Sequence, residues 1–417
     1  AMAYTEAFHI TGDKVFENTT KEIFNYVLRD LTAPNGGFYS AEDADSEGEE
    51  GTFYIWTEDE FVEILGPEHG RIMSKVYGFS SAGNFHDEAS GQTNGKNIPY
   101  LRGNLDLIAK KFNISLDDLI GIIEISREQL FSVRKERIHP LKDDKILTDW
   151  NGLMIAALAL GGQILDESKY TIAAEKAAEF VHKKLRNKNG KLMKRYRLNK
   201  AGLSPHLDDY SFMVWGLLNL YEGTFNVDYL SRAIELTEIM VQDFSDENGG
   251  FFIGGKDAEK LIVRGKDSYD TAIPSGNSVA VMNLFRLGKM TGEKKWIELS
   301  DKTLKAFTNQ AKQSPVGFAH MMTGFMFDLK NPKELVIVSN GYDTKTKKLV
   351  QNIRKNYSPN KVVIYKDLSN PKLIEKTIPW VSEHSTINDK PTFYVCKNFT
   401  CKRPTTNIKT VLNFLNE

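Results

Sequence analysis

The alternation of apolar and polar positions repeats over the first 330 residues of the chain. Four segments combine a short polar turn, an aromatic residue, an amphipathic helix of about 16 residues and a glycine turn. The aromatic residue and the glycine are 21, 20, 21 and 21 positions apart in Phe16–Gly37, Tyr170–Gly190, Tyr229–Gly250 and Trp296–Gly317. This constant spacing predicts a repeated helical unit.

A second class of helix precedes the last three of these aromatic residues. Its members start 20, 19 and 19 residues earlier and span Trp150–Leu160, Tyr210–Leu218 and Asn277–Leu284. They are apolar on most faces, which is typical of buried helices, whereas the helices after them carry a single apolar stripe. The alternation predicts inner and outer helices of a closed ring of hairpins, an (α/α) toroid spanning 1–330.

The pattern changes near residue 331. Runs of β-branched and aromatic residues at 334–339, 361–365 and 392–396 predict strands, and helical stretches at 343–356 and 370–378 separate them. Strands that alternate with helices predict a small, mainly parallel α/β lobe over 331–417. The chain also opens in a helical pattern with no capping residue before it, so we expect it to be truncated at its N-terminus.

Composition narrows the class of function. The 417 residues include 54 basic and 55 acidic side chains, a net charge of −1, which argues against sequence-independent nucleic-acid binding. No apolar run reaches the ~20 residues of a membrane span, and no secretory leader opens the sequence. Two cysteines are too few for a secreted disulfide scaffold, so we expect a cytoplasmic protein. No phosphate-loop or zinc-hydrolase motif occurs, so we predict neither a cofactor nor a metal.

Acidic residues concentrate in the turns that enter the predicted inner helices. Each admits two interpretations, a cap of a helix N-terminus or a member of a general acid/base group acting on a sugar. As a group they favour the second interpretation, because equivalent repeat positions carry acids beside aromatic side chains. The predicted catalytic residues are Asp43, Asp149, His206, Asp208, Asp209 and Asp270. The predicted substrate-binding residues are Asp45, Trp56, Trp150, Asn151, Tyr210, Ser275 and Asn277.

Histidine and cysteine add two further interpretations. His206 is the one histidine that the repeat assigns to this end of the ring. Its role is either that of a base or proton shuttle or that of a structural hydrogen-bonding group. Cys396 and Cys401 are separated by four residues, which is neither a thioredoxin-like redox spacing nor half of a paired zinc motif. We interpret them as buried or incidental thiols, with a regulatory disulfide as the alternative.

Several motifs resemble those of the spermatogenesis-associated protein 20 family. They are Gly36–Gly48, Asp144–Met154, Pro274–Ser278 and Tyr394–Cys401. The resemblance implies an (α/α)6 toroid similar to N-acylglucosamine 2-epimerases and six-hairpin glycosidases. It also implies an N-terminal thioredoxin-like domain in the full-length protein, which this sequence lacks.

Two functional hypotheses follow from the sequence. The first is a carbohydrate-active toroid, epimerase/isomerase-like or glycosidase-like, that takes a small carbohydrate and uses the acids at the mouth of the ring. The second is a non-catalytic scaffold or interaction module that serves the absent thioredoxin-like domain. Redox control through Cys396 and Cys401 is a third possibility.

Overall fold

The computed structural model describes residues 1–86, 91, 93–259 and 262–417. The helices are α1 (Met2–Thr11), α2 (Lys14–Asp30), α3 (Glu58–Val76), α4 (Leu105–Phe112), α5 (Leu116–Lys135), α6 (Thr148–Ile164), α7 (Ser168–Lys184), α8 (Leu207–Thr224), α9 (Val227–Phe244), α10 (Gly276–Thr291), α11 (Lys294–Gln313), α12 (Ala319–Leu329), α13 (Thr344–Lys355), α14 (Lys372–Thr377) and α15 (Ile408–Asn416). The strands are β1 (Ala41–Glu42), β2 (Asp45–Ser46), β3 (Glu49–Glu50), β4 (Lys142–Asp143), β5 (Ile146–Leu147), β6 (Arg195–Arg197), β7 (Lys200–Gly202), β8 (Lys333–Ser339), β9 (Lys361–Asp367), β10 (Thr392–Lys397) and β11 (Thr400–Cys401).

The chain forms two compact units. The first unit comprises Ala1–Ser40 and Asp144–Glu417, and the second unit comprises Ala41–Asp143. The second unit contains α3, α4 and α5, which pack around a core of its own. Its α3 starts with a capping box and bends at Gly66, whose φ of 80° departs from helical geometry.

Burial in the first unit divides the helices into two classes, as the repeat predicts. Every residue of α10 except Met282 is buried. In α11, by contrast, the buried residues form one stripe at helical spacing: Trp296, Ser300, Thr303, Phe307 and Ala311. An inner helix is therefore covered on nearly all sides, and its partner covers it with one face.

Buried amide side chains connect the inner helices. The Asn219 side chain on α8 donates to the carbonyl of Ala156 on α6 at 3.1 Å. Asn283 on α10 donates to the carbonyl of Ser211 on α8 at 2.7 Å. The helices α6, α8 and α10 therefore lie side by side, and the outer helices α7, α9 and α11 pack against them. The predicted fold class, mainly α with (α/α)6 toroid-type hairpins and a small C-terminal α/β lobe, is confirmed.

A tight turn ends each of the outer helices α2, α7 and α9. Isolated bridges join Thr32 to Phe38, Arg186 to Leu192 and Ser245 to Phe251, each closing a loop of the same length. The equivalent glycines have φ values of 96°, 78° and 94° at Gly36, Gly190 and Gly249, the left-handed region that glycine adopts without strain. Gly190 is thus equivalent to Gly36 and Gly249. The sequence intervals instead align it with the next residues along the chain, Gly37 and Gly250.

The C-terminal lobe is a four-stranded sheet in the order β11-β10-β8-β9. Only the β8–β9 pair is parallel, and β10 runs antiparallel to β8, so the prediction of a mainly parallel sheet is wrong. Ser339 pairs with Asp367 and the neighbouring Val338 pairs with Thr392, so β10 begins at the edge where β9 ends. The six-residue α14 rises only ~9 Å, too little to carry the chain back along a seven-residue strand.

The hairpin of β10 and β11 corrects a second prediction. Cys396 lies directly opposite Cys401 in the strand register, and the two are joined by a disulfide. The interpretation as free thiols is therefore wrong in this structure, because the tight hairpin brings side chains from opposed positions together.

The change from helices to sheet falls between Leu329, the end of α12, and Lys333, the start of β8. The hairpins and the sheet belong to one compact unit, and the division into domains 1–330 and 331–417 stays a prediction. Among the described residues, no helix combines the length and the apolar character that a membrane crossing requires.

Candidate functional site

Successive inner helices of the first unit start within hydrogen-bonding contact of one another. The backbone N–H of Asp149, at the start of α6, donates to Asp209 in the first turn of α8 at 3.1 Å. The neighbouring Asp208 accepts a hydrogen bond from the backbone of Gly276, the first residue of α10. Acidic side chains therefore connect the N-terminal ends of three inner helices.

Asp209, Asp149 and Lys194 form the buried part of this cluster. Asp209 is 0% exposed and also accepts from the backbone N–H of His206 at 2.7 Å. The Lys194 ammonium contacts the Asp149 carboxylate and lies 3.5 Å from Oδ1 of Asp209. Burial and then the charge of Asp149 raise the pKa of Asp209. Burial acts to lower the pKa of Lys194, but the charges of Asp209 and Asp149 outweigh it, so the pKa lies above its ordinary value.

Asp208 differs from its neighbour because its side chain remains partly exposed. Burial, followed by the charge of Asp149, raises the pKa of Asp208 to about 6, against the opposing effects of Lys194 and of the Gly276 hydrogen bond. The α10 backbone approaches closely, since a Cβ added to Gly276 would lie 2.3 Å from Oδ1 of Asp208. Asp208 is therefore a solvent-accessible carboxyl that exchanges its proton near neutral pH.

Asp270 connects the starts of α10 and α12. Its Oδ1 accepts from the backbone N–H of Ser275 at 2.9 Å, and its Oδ2 accepts from the backbone N–H of His320 at 2.8 Å. The His320 ring packs against Trp215 with ring centroids 4.9 Å apart. Burial lowers the pKa of His320, with the charge of Asp270 opposing it. The buried Nε2 of His320 has no hydrogen-bond partner within the described ranges of the chain.

Two asparagines that the sequence assigned to substrate binding are structural clamps. Asn277 accepts from the backbone N–H of Phe251 at 2.8 Å and donates to the carbonyls of Phe251 and Asp267 at 2.9 and 2.6 Å. Asn151 repeats the arrangement on Phe38. Both asparagines are at most 1% exposed. Their amides hold the glycine turn that precedes each inner helix, and burial with three backbone hydrogen bonds each leaves them out of reach of a sugar.

Tyr210 and Ser275 also have structural roles. Tyr210 is 0% exposed, and its hydroxyl accepts from the backbone N–H of Leu192, which holds the glycine turn at Gly190. Ser275 caps α10 by accepting from the backbone N–H of Ser278 at 3.2 Å. The prediction that Tyr210 forms a wall for a sugar ring is therefore not supported, since no face of its ring is open.

Trp150 and His206 are exposed side chains beside the cluster. Trp150 is 45% exposed, and its backbone N–H donates to Asp149 at 2.9 Å. His206 precedes α8, and its pKa is lowered by desolvation and by the charge of Lys194. Both remain available to a ligand.

Three predicted site residues belong to the second unit. Asp43 and Asp45 are exposed, and Oδ1 of Asp43 accepts from the backbone N–H of Asp45 at 3.2 Å. Trp56 is 3% exposed, and the guanidinium of Arg137 lies 3.8 Å from the centroid of its ring. Trp56 is thus a core residue whose face is already covered, which contradicts its predicted role as a sugar platform.

Sequence reasoning missed Lys194 and His320. Lys194 lies directly before β6 and is brought to the carboxylates by the β5–β6 pairing, which no sequence pattern announced. His320 follows Gly317 and Phe318, the last glycine turn of the repeat, by two residues. Because an inner helix follows such a turn, the repeat itself could have located His320.

The arrangement defines a helical-hairpin protein with a carboxylate–lysine cluster at the start of its inner helices. No family model matches the chain. Spermatogenesis-associated protein 20 of Homo sapiens is 33% identical over 436 residues, which covers 98% of this chain and 55% of the relative. The Rattus norvegicus protein of the same name is 32% identical with the same coverage. Over nearly its whole length the chain is similar to spermatogenesis-associated protein 20, and it spans about half the length of the curated relatives it matches.

Two solved structures with a similar chain path are distant in sequence. An α-mannanase of glycoside hydrolase family 76 from Bacteroides thetaiotaomicron is 13% identical, covers 84% of both chains and has a TM-score of 0.40. A D-mannose isomerase is 14% identical, covers 72% of this chain and 71% of its own, and has a TM-score of 0.34. These likenesses are weak, and the fold assignment depends on the packing of the hairpins themselves.

Proposed function

We propose that the first unit binds a small carbohydrate at the start of its inner helices and acts on it by acid/base catalysis, as a sugar epimerase/isomerase or a glycoside hydrolase. The observation that carries the proposal is the state of Asp208. It is partly exposed, has a pKa raised to about 6 and lies beside a buried carboxylate–lysine group. A carboxyl of this kind gives up and takes back a proton at neutral pH.

The neighbouring groups have complementary roles in this proposal. Lys194, held by Asp149 and Asp209, supplies a positive charge that stabilises an oxyanion or an ionised carboxylate during the reaction. The exposed Trp150 offers an aromatic face to a sugar ring. His320, whose Nε2 has no partner among the described residues, is the second candidate for proton transfer.

The test compares Asp208→Asn with a matched control, Asp228→Asn. Asp228 also lies in the first turn of a helix, but on the outer helix α9, where its side chain is exposed. The proteins are incubated with a panel of aldoses, ketoses and disaccharides, and conversion is followed by NMR and by release of reducing ends. We expect turnover of at least one sugar by the wild type, a loss of ~10²–10⁴-fold in Asp208→Asn and little change in Asp228→Asn.

Turnover that persists in Asp208→Asn would refute the assignment of the acid/base group. A second candidate function is a non-catalytic module that serves another region of the full-length protein. It is favoured by the backbone hydrogen bonds that occupy both oxygens of Asp209 and of Asp270. The absence of any sugar turnover, together with no shift in melting temperature across the panel, would support this module instead.

A further inference from the structure

We propose that Cys396, Cys401 and His384 form a site for a thiophilic cation, Zn²⁺, when the disulfide is reduced. One ligand atom from each of the three residues lies within 4.8 Å of the other two. Thiolate sulfur and imidazole nitrogen are the ligands that zinc prefers in proteins. The site is independent of the carboxylate cluster.

The distances suit a tetrahedral cation. With Zn–S bonds of about 2.3 Å and Zn–N bonds of about 2.0–2.1 Å, neighbouring ligand atoms lie about 3.5–3.8 Å apart. Nε2 of His384 is already 3.8 Å from Sγ of Cys401. The two sulfurs have to separate, which a rotation of each side chain achieves because the residues face one another across antiparallel strands.

Contacts other than the disulfide hold the two cysteines opposite each other. The strand β10 pairs with β8 along its whole length, from Thr392 to Lys397. The tip of the hairpin is fixed by the ammonium of Lys289, which donates to Asn398 at 2.8 Å, and by the backbone N–H of Phe399, which donates to Glu334 at 3.2 Å. We therefore expect the thiols to stay close after reduction.

The histidine is held in place in the same way. The hydroxyl of Tyr394 donates to the carbonyl of Ser385 at 2.9 Å and accepts from its backbone N–H at 3.2 Å. The rings of Tyr394 and Trp380 pack against the imidazole with centroids 4.4 and 5.4 Å away. A ligand whose position is fixed before metal arrives loses little conformational freedom on binding.

The chemistry requires a two-electron reductant, for which we name a dithiol. Its thiolate attacks Sγ of Cys401, which is partly exposed, whereas Cys396 is 1% exposed. The disulfide bond breaks, Cys396 leaves as a thiolate, and the second thiol of the reductant releases Cys401 while the reductant closes its own disulfide. Binding of Zn²⁺ then displaces the remaining thiol protons, and a water completes the fourth position.

The test measures zinc on the full chain in both redox states. Protein reduced with dithiothreitol and desalted without oxygen is compared with oxidised protein. Free thiols are counted with a thiol-reactive aromatic disulfide, and bound Zn²⁺ is measured by elemental analysis. We expect two thiols and about one tightly held Zn²⁺ per reduced chain, and neither in the oxidised chain. Co²⁺ in place of Zn²⁺ is expected to give a thiolate charge-transfer band.

Variants assign the ligands. His384→Gln keeps both cysteines and is expected to weaken Zn²⁺ binding by at least ~10-fold, whereas His139→Gln, at an exposed histidine of the second unit, leaves binding unchanged. Cys401→Ser is expected to abolish the charge-transfer band. The proposal is overturned by a disulfide that resists reduction in the folded protein, by a reduced protein that holds no zinc, or by His384→Gln binding zinc as tightly as the wild type.

Discussion

The Asn277 clamp gives the most direct test of how the structure assigns roles. If Asn277 is structural, Asn277→Ala destabilises the protein and does not selectively weaken a ligand. The change removes three hydrogen bonds, to the N–H and carbonyl of Phe251 and to the carbonyl of Asp267. At about 1 kcal/mol net for each bond, the loss is ~3 kcal/mol.

A further penalty comes from the groups that the alanine leaves behind. Phe251 is 0% exposed, so its backbone N–H and carbonyl become buried polar groups without their partner. An unsatisfied buried group costs about 1–3 kcal/mol where water cannot reach it. We therefore expect Asn277→Ala to lower the free energy of unfolding by more than ~3 kcal/mol, and Asn151→Ala to do the same at the equivalent turn.

The assay is urea-induced unfolding followed by tryptophan fluorescence, with the slope against urea compared between variants. Asn248→Ala, at an exposed asparagine of the same glycine turn, is the matched control and is expected to change stability by less than ~0.5 kcal/mol. An Asn277→Ala protein as stable as the wild type would refute the clamp and return the residue to the list of ligand-binding candidates.

Three further predictions concern the carboxylate cluster. Asp208 binds its proton more tightly in the folded state, so the free energy of unfolding falls as pH rises from about 4 through about 6. Urea unfolding is therefore expected to show Asp208→Asn more stable than the wild type by ~1–3 kcal/mol at pH 8 but not at pH 4. Lys194→Met leaves the buried Asp209 without its cation and is expected to cost ~3–5 kcal/mol in the same assay, with the loss largest at high pH. Gly276→Ala places a methyl group against Asp208 and is expected to move the pKa of that carboxyl, measured by NMR titration, whereas Gly121→Ala, with nothing within 4 Å, leaves it unchanged.

The sequence predicted the helical architecture well because the burial of each helix determines its pattern of apolar residues. A helix such as α10, which is buried at every position except Met282, is apolar on most of its faces. The outer helix α11 instead carries one buried stripe at Trp296, Ser300 and Phe307. The direction of β10 was not accessible in this way, because parallel and antiparallel strands of a buried sheet have the same composition. It depends on whether α14 spans the sheet, a matter of three-dimensional length.

The site was only partly predictable for a related reason. Position in the repeat located Asp149, Asp208, Asp209 and Asp270. It did not distinguish a side chain whose hydrogen bonds are all made within the protein from one that can still bind a ligand. That distinction depends on partners distant in sequence. Lys194 reaches Asp149 across 45 residues, and the ring of Trp56 is covered by Arg137, 81 positions away.

The two interpretations of the acids, helix cap and acid/base group, apply together in this structure. Asp209 joins the start of α8 to α6, and Asp270 joins the start of α10 to α12, with both oxygens of each accepting backbone N–H groups. These two carboxylates stabilise the seams between neighbouring hairpins. Asp208 joins α8 to α10 through Gly276, yet it stays partly exposed and keeps a raised pKa. Its favourable place at helix N-termini does not offset burial and the charge of Asp149. The pKa of the buried Asp209 is raised as well, so the feature that distinguishes Asp208 is its partial exposure. Asp208 is the carboxyl with a raised pKa that a ligand can reach, and the proposed chemistry therefore depends on it.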